Sequence, residues 1–347
     1  MKSTMVTRAE VARRAGVSPM TVTRVMANDP HVTDETRQLV LEVVRELGYY
    51  PSVSARAIRG NNMNVLSVTT PTQFYESLFQ NTFFQTITHG ISQSCFTNRF
   101  DLLITFLDNP GHSGDPEGHD FLRPYLENKC DGLLFIALSP WTDQLERIER
   151  EKIPCVAIYS PFTGTSLTTV NVDDRLGAFT AVRHLTDNGH RDIALVNGPP
   201  RHMAAIARER GYRDALEAAG IPFRPELTTS GEFLIEVGYR NTLELLDRAT
   251  PITAIFCGND DLAFGALKAL AEKGLRVPEN VSLVGFDDVD GARLSNPPLT
   301  TIAQPLKAIG RIGAELLIER IRNPDAPVRD VIVPLTLVER ASVRKLN

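Results

Sequence analysis

Two periodicities divide this chain. Up to about residue 48, apolar residues recur at helical spacing in three short runs. Val11, Ala12 and Ala15 line one side of the first run, and Val22, Val25 and Met26 line the second. Leu39, Val40, Val43, Val44 and Leu47 form the stripe of the third. The polar residues between them punctuate helices. Thr7 and Glu10 have the spacing of a capping box, and Val6 with Val11 that of a hydrophobic staple. Gly16 and Gly48 stand where a left-handed residue ends a helix. Ser18 and Thr33 are N-cap residues, and Pro19 fits a first helical position, whose N–H has no helical partner. Two short helices joined by one glycine turn can lay the second of them in a DNA major groove.

From Asn64 onward the pattern changes to short apolar strands alternating with amphipathic helices. Strands are predicted at Val65–Val68, Leu102–Phe106, Gly132–Ile136, Cys155–Ile158, Ile193–Val196, Ala254–Cys257 and Val281–Val284, with a terminal one at Val331–Val338. Helices are predicted at Phe83–Ser92, Gln144–Lys152, Gly177–Asn188, Ala204–Ala219, Val237–Ala249 and Asp261–Lys273. Such alternation gives parallel sheets with helices on both faces. Two such halves make two lobes with a cleft at the strand C-termini, where open α/β sheets bind ligands. The expected fold class is therefore α/β: an all-α helix-turn-helix head on a two-lobed core with parallel sheets.

Charge sharpens the reading of the head. Residues 1–60 carry nine Lys/Arg against six Asp/Glu, in a chain of net charge −5. A basic helix-turn-helix within an acidic protein points to phosphate contact. No apolar run would span a bilayer and the N-terminus does not read as a signal peptide, so a cytoplasmic protein without membrane contact is expected. Cys95, Cys130, Cys155 and Cys257 are isolated and read as small buried hydrophobes. His112 and His119 lie in a Gly/Pro/Asp-rich stretch with no ligand spacing, so no metal and no cofactor are expected. Neither G-x-S-x-G, a Walker loop, G-x-G-x-x-G nor zinc spacing occurs, which argues against an enzyme.

The stretch from Val6 to Pro51 carries Val11-Ala12, Ala15-Gly16-Val17-Ser18, Thr21-Val22-Thr23-Arg24-Val25, Thr36-Arg37 and Leu47-Gly48-Tyr49-Tyr50-Pro51. It resembles the lactose/galactose repressor (LacI/GalR) family of bacterial transcription regulators, and the likeness continues through the core. The resemblance implies a helix-turn-helix domain at 1–50, a hinge helix at 51–61 and an effector-binding and dimerisation domain at 62–347. It implies lobes like those of periplasmic sugar-binding proteins, with the chain crossing between them three times. The expected lobe boundaries are 62–160 plus 305–325, and 161–304 plus 326–343.

On this reading Pro19 and Met20 open the recognition helix and offer bases only apolar contact, for example to a thymine methyl. Arg24 is the candidate for guanine or phosphate. Thr7, Ser18, Thr21 and Thr23 complete the DNA-facing set, with helix packing as the other reading of the two central threonines. In the hinge, Ser52 stands for the usual Asn cap, small Ala55 admits a second hinge helix, and Arg56 lies by phosphates. Ile58 holds the minor-groove wedge position, where the family usually has Leu. The operator is expected to be near-palindromic double-stranded DNA. The chain carries no heptad tail, so a homodimer is expected.

Polar residues gather at strand ends: Gly258-Asn259-Asp260, Gly285-Phe286-Asp287-Asp288, Arg208 beyond Gly198-Pro199-Pro200, and Phe233. Alone they could form a structural ion-pair network. The resemblance makes them an effector pocket in which Arg208, Asn259 and Asp287 hydrogen-bond the ligand and Phe233 stacks on it. Phe74, Phe83 and Phe84 are either pocket wall or core, and Phe74 joins the candidate effector-binding set. Tyr159, also in that set, stands where some sugar-binding members carry Asp. The expected effector is a carbohydrate or sugar phosphate, with a nucleobase or nucleoside as the alternative. A transport protein or an enzyme on the same core would not need the head. Asn171-Val172-Asp173-Asp174 and Asn188-Gly189-His190-Arg191 read as helix caps and stops, and His184 and His190 as satisfied polar groups.

Overall fold

The structure is a computed structural model that describes residues 6–26, 29–49, 63–71, 82–107, 120–136, 142–160, 167–248 and 250–346. The chain forms two compact units, Met1–Asn64 and Val65–Asn347.

The first unit holds α1 (Arg8–Ala15), α2 (Pro19–Met26) and α3 (Asp34–Leu47). The caps fall where the punctuation placed them. Thr7 Oγ1 accepts from Glu10 N at 3.3 Å, Ser18 Oγ from Thr21 N at 3.0 Å, and Thr33 Oγ1 from Thr36 N at 3.4 Å. Gly16 and Gly48 take φ of 65° and 61°. Val11, Val22, Val25, Val40 and Val43 form the buried core, with Val6, Val44 and Leu47 partly buried against it. Leu39 departs from the expected stripe. It is 46% exposed, because the apolar arc of α3 is already filled by Val40, Val43 and Val44.

The second unit runs β1 (Val65–Pro71), α4 (Thr82–Asn98), β2 (Asp101–Leu107), α5 (Arg123–Leu126), β3 (Gly132–Ile136), α6 (Thr142–Glu151), β4 (Cys155–Ile158) and β5 (Thr168–Asn171). It continues with α7 (Asp174–Asp187), β6 (Ile193–Asn197), α8 (Met203–Ala218), β7 (Thr228–Ser230), α9 (Ile235–Asp247), β8 (Ala254–Cys257), α10 (Asp260–Glu272) and β9 (Ser282–Asp287). The last elements are α11 (Asp290–Leu294), β10 (Thr300–Ala303), α12 (Leu306–Arg322), β11 (Asp330–Ile332) and β12 (Thr336–Val338). Two six-stranded sheets result, ordered β11-β5-β4-β3-β1-β2 and β12-β10-β9-β8-β6-β7. Every pairing is parallel except β10 with β12. Each sheet is the centre of a lobe.

All seven internal strands expected from apolar runs are present. Three more, β5, β7 and β10, open on paired threonines, which broke the apolar signal. The expected lobe boundary moves. β5 and β11 belong to the first sheet and not to the second lobe, whose expected range is 161–304 plus 326–343. The single terminal strand also divides. Val333 N reaches back to Asn171 O of the first sheet at 2.7 Å, and Pro334, which has no N–H, interrupts the ladder. The chain then enters the second sheet as β12. Three crossovers follow: 171–174, 303–306 and 332–336.

Helix α12 lies outside the set of predicted helices and packs on α4 across the first lobe. The crossing is close. A Cβ on Gly90 would lie 2.0 Å from Lys307 O, and one on Gly310 would lie 2.1 Å from Ile87 O. Backbone on both sides leaves no flexible atom to yield. Gly90→Ala and Gly310→Ala should each destabilise the core by about 1–3 kcal/mol, the usual range for overpacking. Urea denaturation followed by circular dichroism measures this, and unchanged midpoints would mean the helices separate without loss.

Candidate functional site

In the head, Ser18, Pro19, Met20 and Arg24 are exposed, as is the cap residue Thr7. Met20 presents 61% of its surface to solvent. Arg24 keeps its side chain 60% exposed, with Asp29 Oδ2 at 3.9 Å from Nε. Thr21 Oγ1 lies 2.9 Å from Ser18 Oγ. Thr23 Oγ1 donates to Pro19 O and accepts from Arg8 Nη1, both at 3.0 Å, so its hydroxyl ties α1 to α2. That is the helix-packing reading of this threonine. Ser52, Ala55, Arg56, Ile58 and Phe74 lie outside the described residues, as do His112 and His119.

In the second unit a cavity of about 440 Å³ opens between the lobes. Phe83 of α4, Tyr159 after β4 and Ile332 of β11 line it from the first lobe. Asp174, His202, Arg208, Phe233, Asn259 and Asp287 line it from the second. Five of the six expected pocket residues thus come together. Phe83 is wall, whereas Phe84 is core, 4% exposed.

Each side chain has a local cause. Asn259 caps α10, its Oδ1 accepting from Leu262 N at 2.9 Å, so Nδ2 is the donor it can offer the cavity. Asp173 caps α7 through Leu176 N at 2.8 Å. Asp174, next in line, instead receives Arg208: Nε and Nη2 both lie 2.8 Å from its Oδ1. Arg208 Nη1 donates to Gly258 O, and the guanidinium lies 3.8 Å from the centre of the Phe286 ring. The structural ion-pair network and the pocket are therefore the same place.

Asp287 ends β9 with φ of 118°. Its Oδ1 accepts from Gln304 Nε2 at 2.6 Å and lies 4.0 Å from Arg208 Nη2. Gln304 Oε1 in turn accepts from Tyr159 Oη at 2.9 Å. Burial pushes the Asp287 carboxyl up to about 7. Arg208 and Gln304 pull it down, while Asp261 and Asp174 push it up. Burial also holds Asp260 well above the carboxylate range and brings Asp261 to about 6. His202 is held below the usual histidine range, first by burial and then by Arg208. Its ring meets Phe233 edge-on at 5.5 Å, and its Nδ1 has no hydrogen-bond partner among the described residues.

Sequence reasoning missed Asp174 as the partner of Arg208, and it missed Gln304 and His202. Asp174 was visible as a helix-start carboxylate but indistinguishable there from a cap. Neither of the others sits in a motif. His190 is satisfied as expected, with Nδ1 3.1 Å from Thr253 Oγ1 and Nε2 3.1 Å from Arg344 O. No metal-binding cluster of His, Cys, Asp or Glu occurs among the described residues, and no described helix is long and apolar enough to cross a membrane.

The raised Asp287 carboxyl has a consequence for stability. In the folded protein it holds its proton up to about 7, whereas unfolded it releases it near 3.8. The folded state binds more protons between these values, so stability contributed by this group is lost as pH rises from about 4 to 7. Asp287→Asn removes that loss. The stability of wild type minus variant should fall with pH in this window, by at most about 1.4 kcal/mol per unit. Chemical denaturation at four pH values tests it, and a difference that does not change with pH would refute it.

Comparison with known proteins follows the same division. A profile described as "Bacterial regulatory proteins, lacI family" matches residues 7–52, and one described as "Periplasmic binding protein-like domain" matches 182–343. The HTH-type transcriptional repressor PurR of Erwinia tasmaniensis is 33% identical over 98% of this chain and 97% of its own length. The ribose operon repressor of Haemophilus influenzae is 31% identical over 99% of this chain and 100% of its own. The crystal structure of the lac repressor dimer bound to operator and the anti-inducer ONPF aligns with a TM-score of 0.84 at 27% identity, over 98% of this chain and 99% of that one.

Proposed function

The chain belongs to the lacI family of bacterial regulatory proteins and is a DNA-binding transcriptional regulator rather than an enzyme; from that premise we propose that it is a cytoplasmic homodimeric repressor controlled by a small molecule in the inter-lobe cavity. One observation carries the reading: a cavity walled by both lobes is lined by a buried acid, Asp287, with Arg208 4.0 Å away and the Phe233 ring in the same wall. A ligand there touches both lobes, and it shifts their arrangement by its difference in affinity for the open and closed forms.

The chemistry suits a carbohydrate or sugar phosphate. Asp287 accepts from neighbouring hydroxyls, Asn259 donates, Phe233 covers C–H groups, and Arg208 fixes the wall and supplies a charged donor to the ligand. Tyr159 replaces a second carboxylate with a phenol. A nucleobase is the second reading, favoured by the rings of Phe83, Tyr159, His202 and Phe233 around one cavity. Phe74 is assigned to the same site. On the DNA side, Met20 and Pro19 give apolar contact to bases and Arg24 a charged one, with Thr7, Ser18, Thr21 and Thr23 around them. The hinge at 51–61 wedges Ile58 into the minor groove, with Ser52 capping, Ala55 at the two-fold contact and Arg56 at phosphate. A two-fold dimer reads a near-palindrome.

A thermal-shift screen of sugars, sugar phosphates and nucleobases tests the pocket. A ligand at a hundred times its Kd stabilises by about 2.7 kcal/mol. Asp287→Ala should weaken the same ligand roughly ten- to a hundredfold, the range for a charge-assisted hydrogen bond. An equal shift in wild type and variant would place the site elsewhere. For DNA, Arg24→Ala should weaken operator binding. Lost discrimination of about 1–3 kcal/mol at one base pair marks base contact, and a salt slope reduced by about 1 marks phosphate contact. Neither change in a mobility shift would remove Arg24 from the interface.

A further inference from the structure

We propose that Gln304 relays occupancy of Asp287 to Tyr159 on the opposite lobe, so that the bonds joining the two cavity walls are those an effector must break. This rests on the cavity being the effector site. Tyr159 and Asp287 are both cavity wall, one from each lobe. Gln304 is 5% exposed and sits in the second crossover, between β10 and α12. It joins the two walls through a chain of single hydrogen bonds, Tyr159 Oη to Gln304 Oε1 at 2.9 Å and Gln304 Nε2 to Asp287 Oδ1 at 2.6 Å.

The residue type is specified by this arrangement. A primary amide accepts with its oxygen and donates with its nitrogen. It can therefore stand between a phenol that donates and a carboxylate that accepts. An ionised Glu at this position has no donor for Asp287, and Met has neither function. The bonds form in a desolvated place, where each polar group left unpaired is penalised, so the chain makes and breaks as a unit.

Asp287 Oδ1 also lies 4.0 Å from Arg208 Nη2. An effector donating to this oxygen competes with Gln304 Nε2. Once the amide turns away, Tyr159 loses its acceptor and the first lobe is released from the second. The groups facing Asp287 that set the balance are Arg208, Gln304, Asp261 and Asp174, with Tyr159 beyond the amide.

The test uses effector-free full-length protein. Labels on Glu149→Cys of the first lobe and Glu217→Cys of the second, both exposed positions, report lobe separation by energy transfer. The native Cys95, Cys130, Cys155 and Cys257 are buried and stay unlabelled. Tyr159→Phe and Gln304→Met should each change the label distance in the same sense. Each should change affinity for the duplex that wild type selects from a random pool at least threefold, in one direction. The double variant should go no further than the larger single, because both cut one chain. Multiplied effects, opposite directions, or unchanged distance and affinity would overturn the relay. If Gln304→Met does not fold, Gln304→Asn, which keeps the amide but shortens its reach, takes its place in the cycle. Neither readout needs a ligand, so the relay can fail while the cavity still binds a sugar, and an empty ligand screen leaves the relay result standing.

Discussion

The second lobe is organised around one buried positive charge. Arg208 has a side chain only 5% exposed. Removing a guanidinium from water costs several kcal/mol unless its N–H groups and charge find partners. The lobe supplies them from three elements: Asp174 at the start of α7, Gly258 O after β8, and the ring of Phe286 in β9. One side chain on α8 thereby fixes a helix start and two strand ends that form the cavity wall. The glycines nearby belong to the same constraint. A Cβ on Gly258 would lie 2.7 Å from Asn197 Oδ1, and one on Gly198 would lie 2.0 Å from the Phe233 ring. These positions let the strand ends approach Arg208 and let Phe233 lie over them.

That pairing leaves the carboxylates unequal. Arg208 sits 2.8 Å from Asp174 but 4.0 Å from Asp287, so its charge is spent mainly on the former. Asp287 is buried beside Asp261 and Asp174 with a distant cation and one amide donor. Its carboxylate is under-compensated by these protein groups, which is the electrostatic condition for a group that gains by taking hydroxyl or amide donors from a ligand. The structural pair and the binding group are two carboxylates served by one arginine, separated in role by about an ångström of distance.

Much of this was legible in the sequence because it is written locally. Thr7, Ser18, Thr33, Gly16 and Gly48 declare helix ends through bonds made within a few residues, and the head came out as those residues imply. Buried parallel strands such as Gly132–Ile136 announce themselves by continuous apolar runs. What stayed hidden depends on distant partners. Thr168–Asn171 and Thr300–Ala303 are buried strands without that signature, and their neighbours, not their composition, make them strands. The role of Asp174 is set by an arginine 34 positions away, and that of Gln304 by a tyrosine 145 positions away. Asp174 and Gln304 themselves sit at crossovers, whose residues carry no periodicity.

Backbone geometry supplies a last argument about where function resides. Tyr159, Asp287 and Asp288 adopt φ of 55°, 118° and 57°, in a region that side chains other than glycine rarely occupy. Such residues cost of order 1–3 kcal/mol each and persist where surrounding bonds over-determine them. Those bonds are present: Tyr159 through Gln304, Asp287 through Gln304, and Asp288 through Arg340 Nη2 at 2.6 Å. Glycine at these positions would relieve the backbone but would remove the phenol and the carboxylates. Two of the three residues line the cavity, and both end on the same amide. Strain on either wall is thus held by one shared side chain, and a molecule that takes the place of that amide acts on both lobes at once.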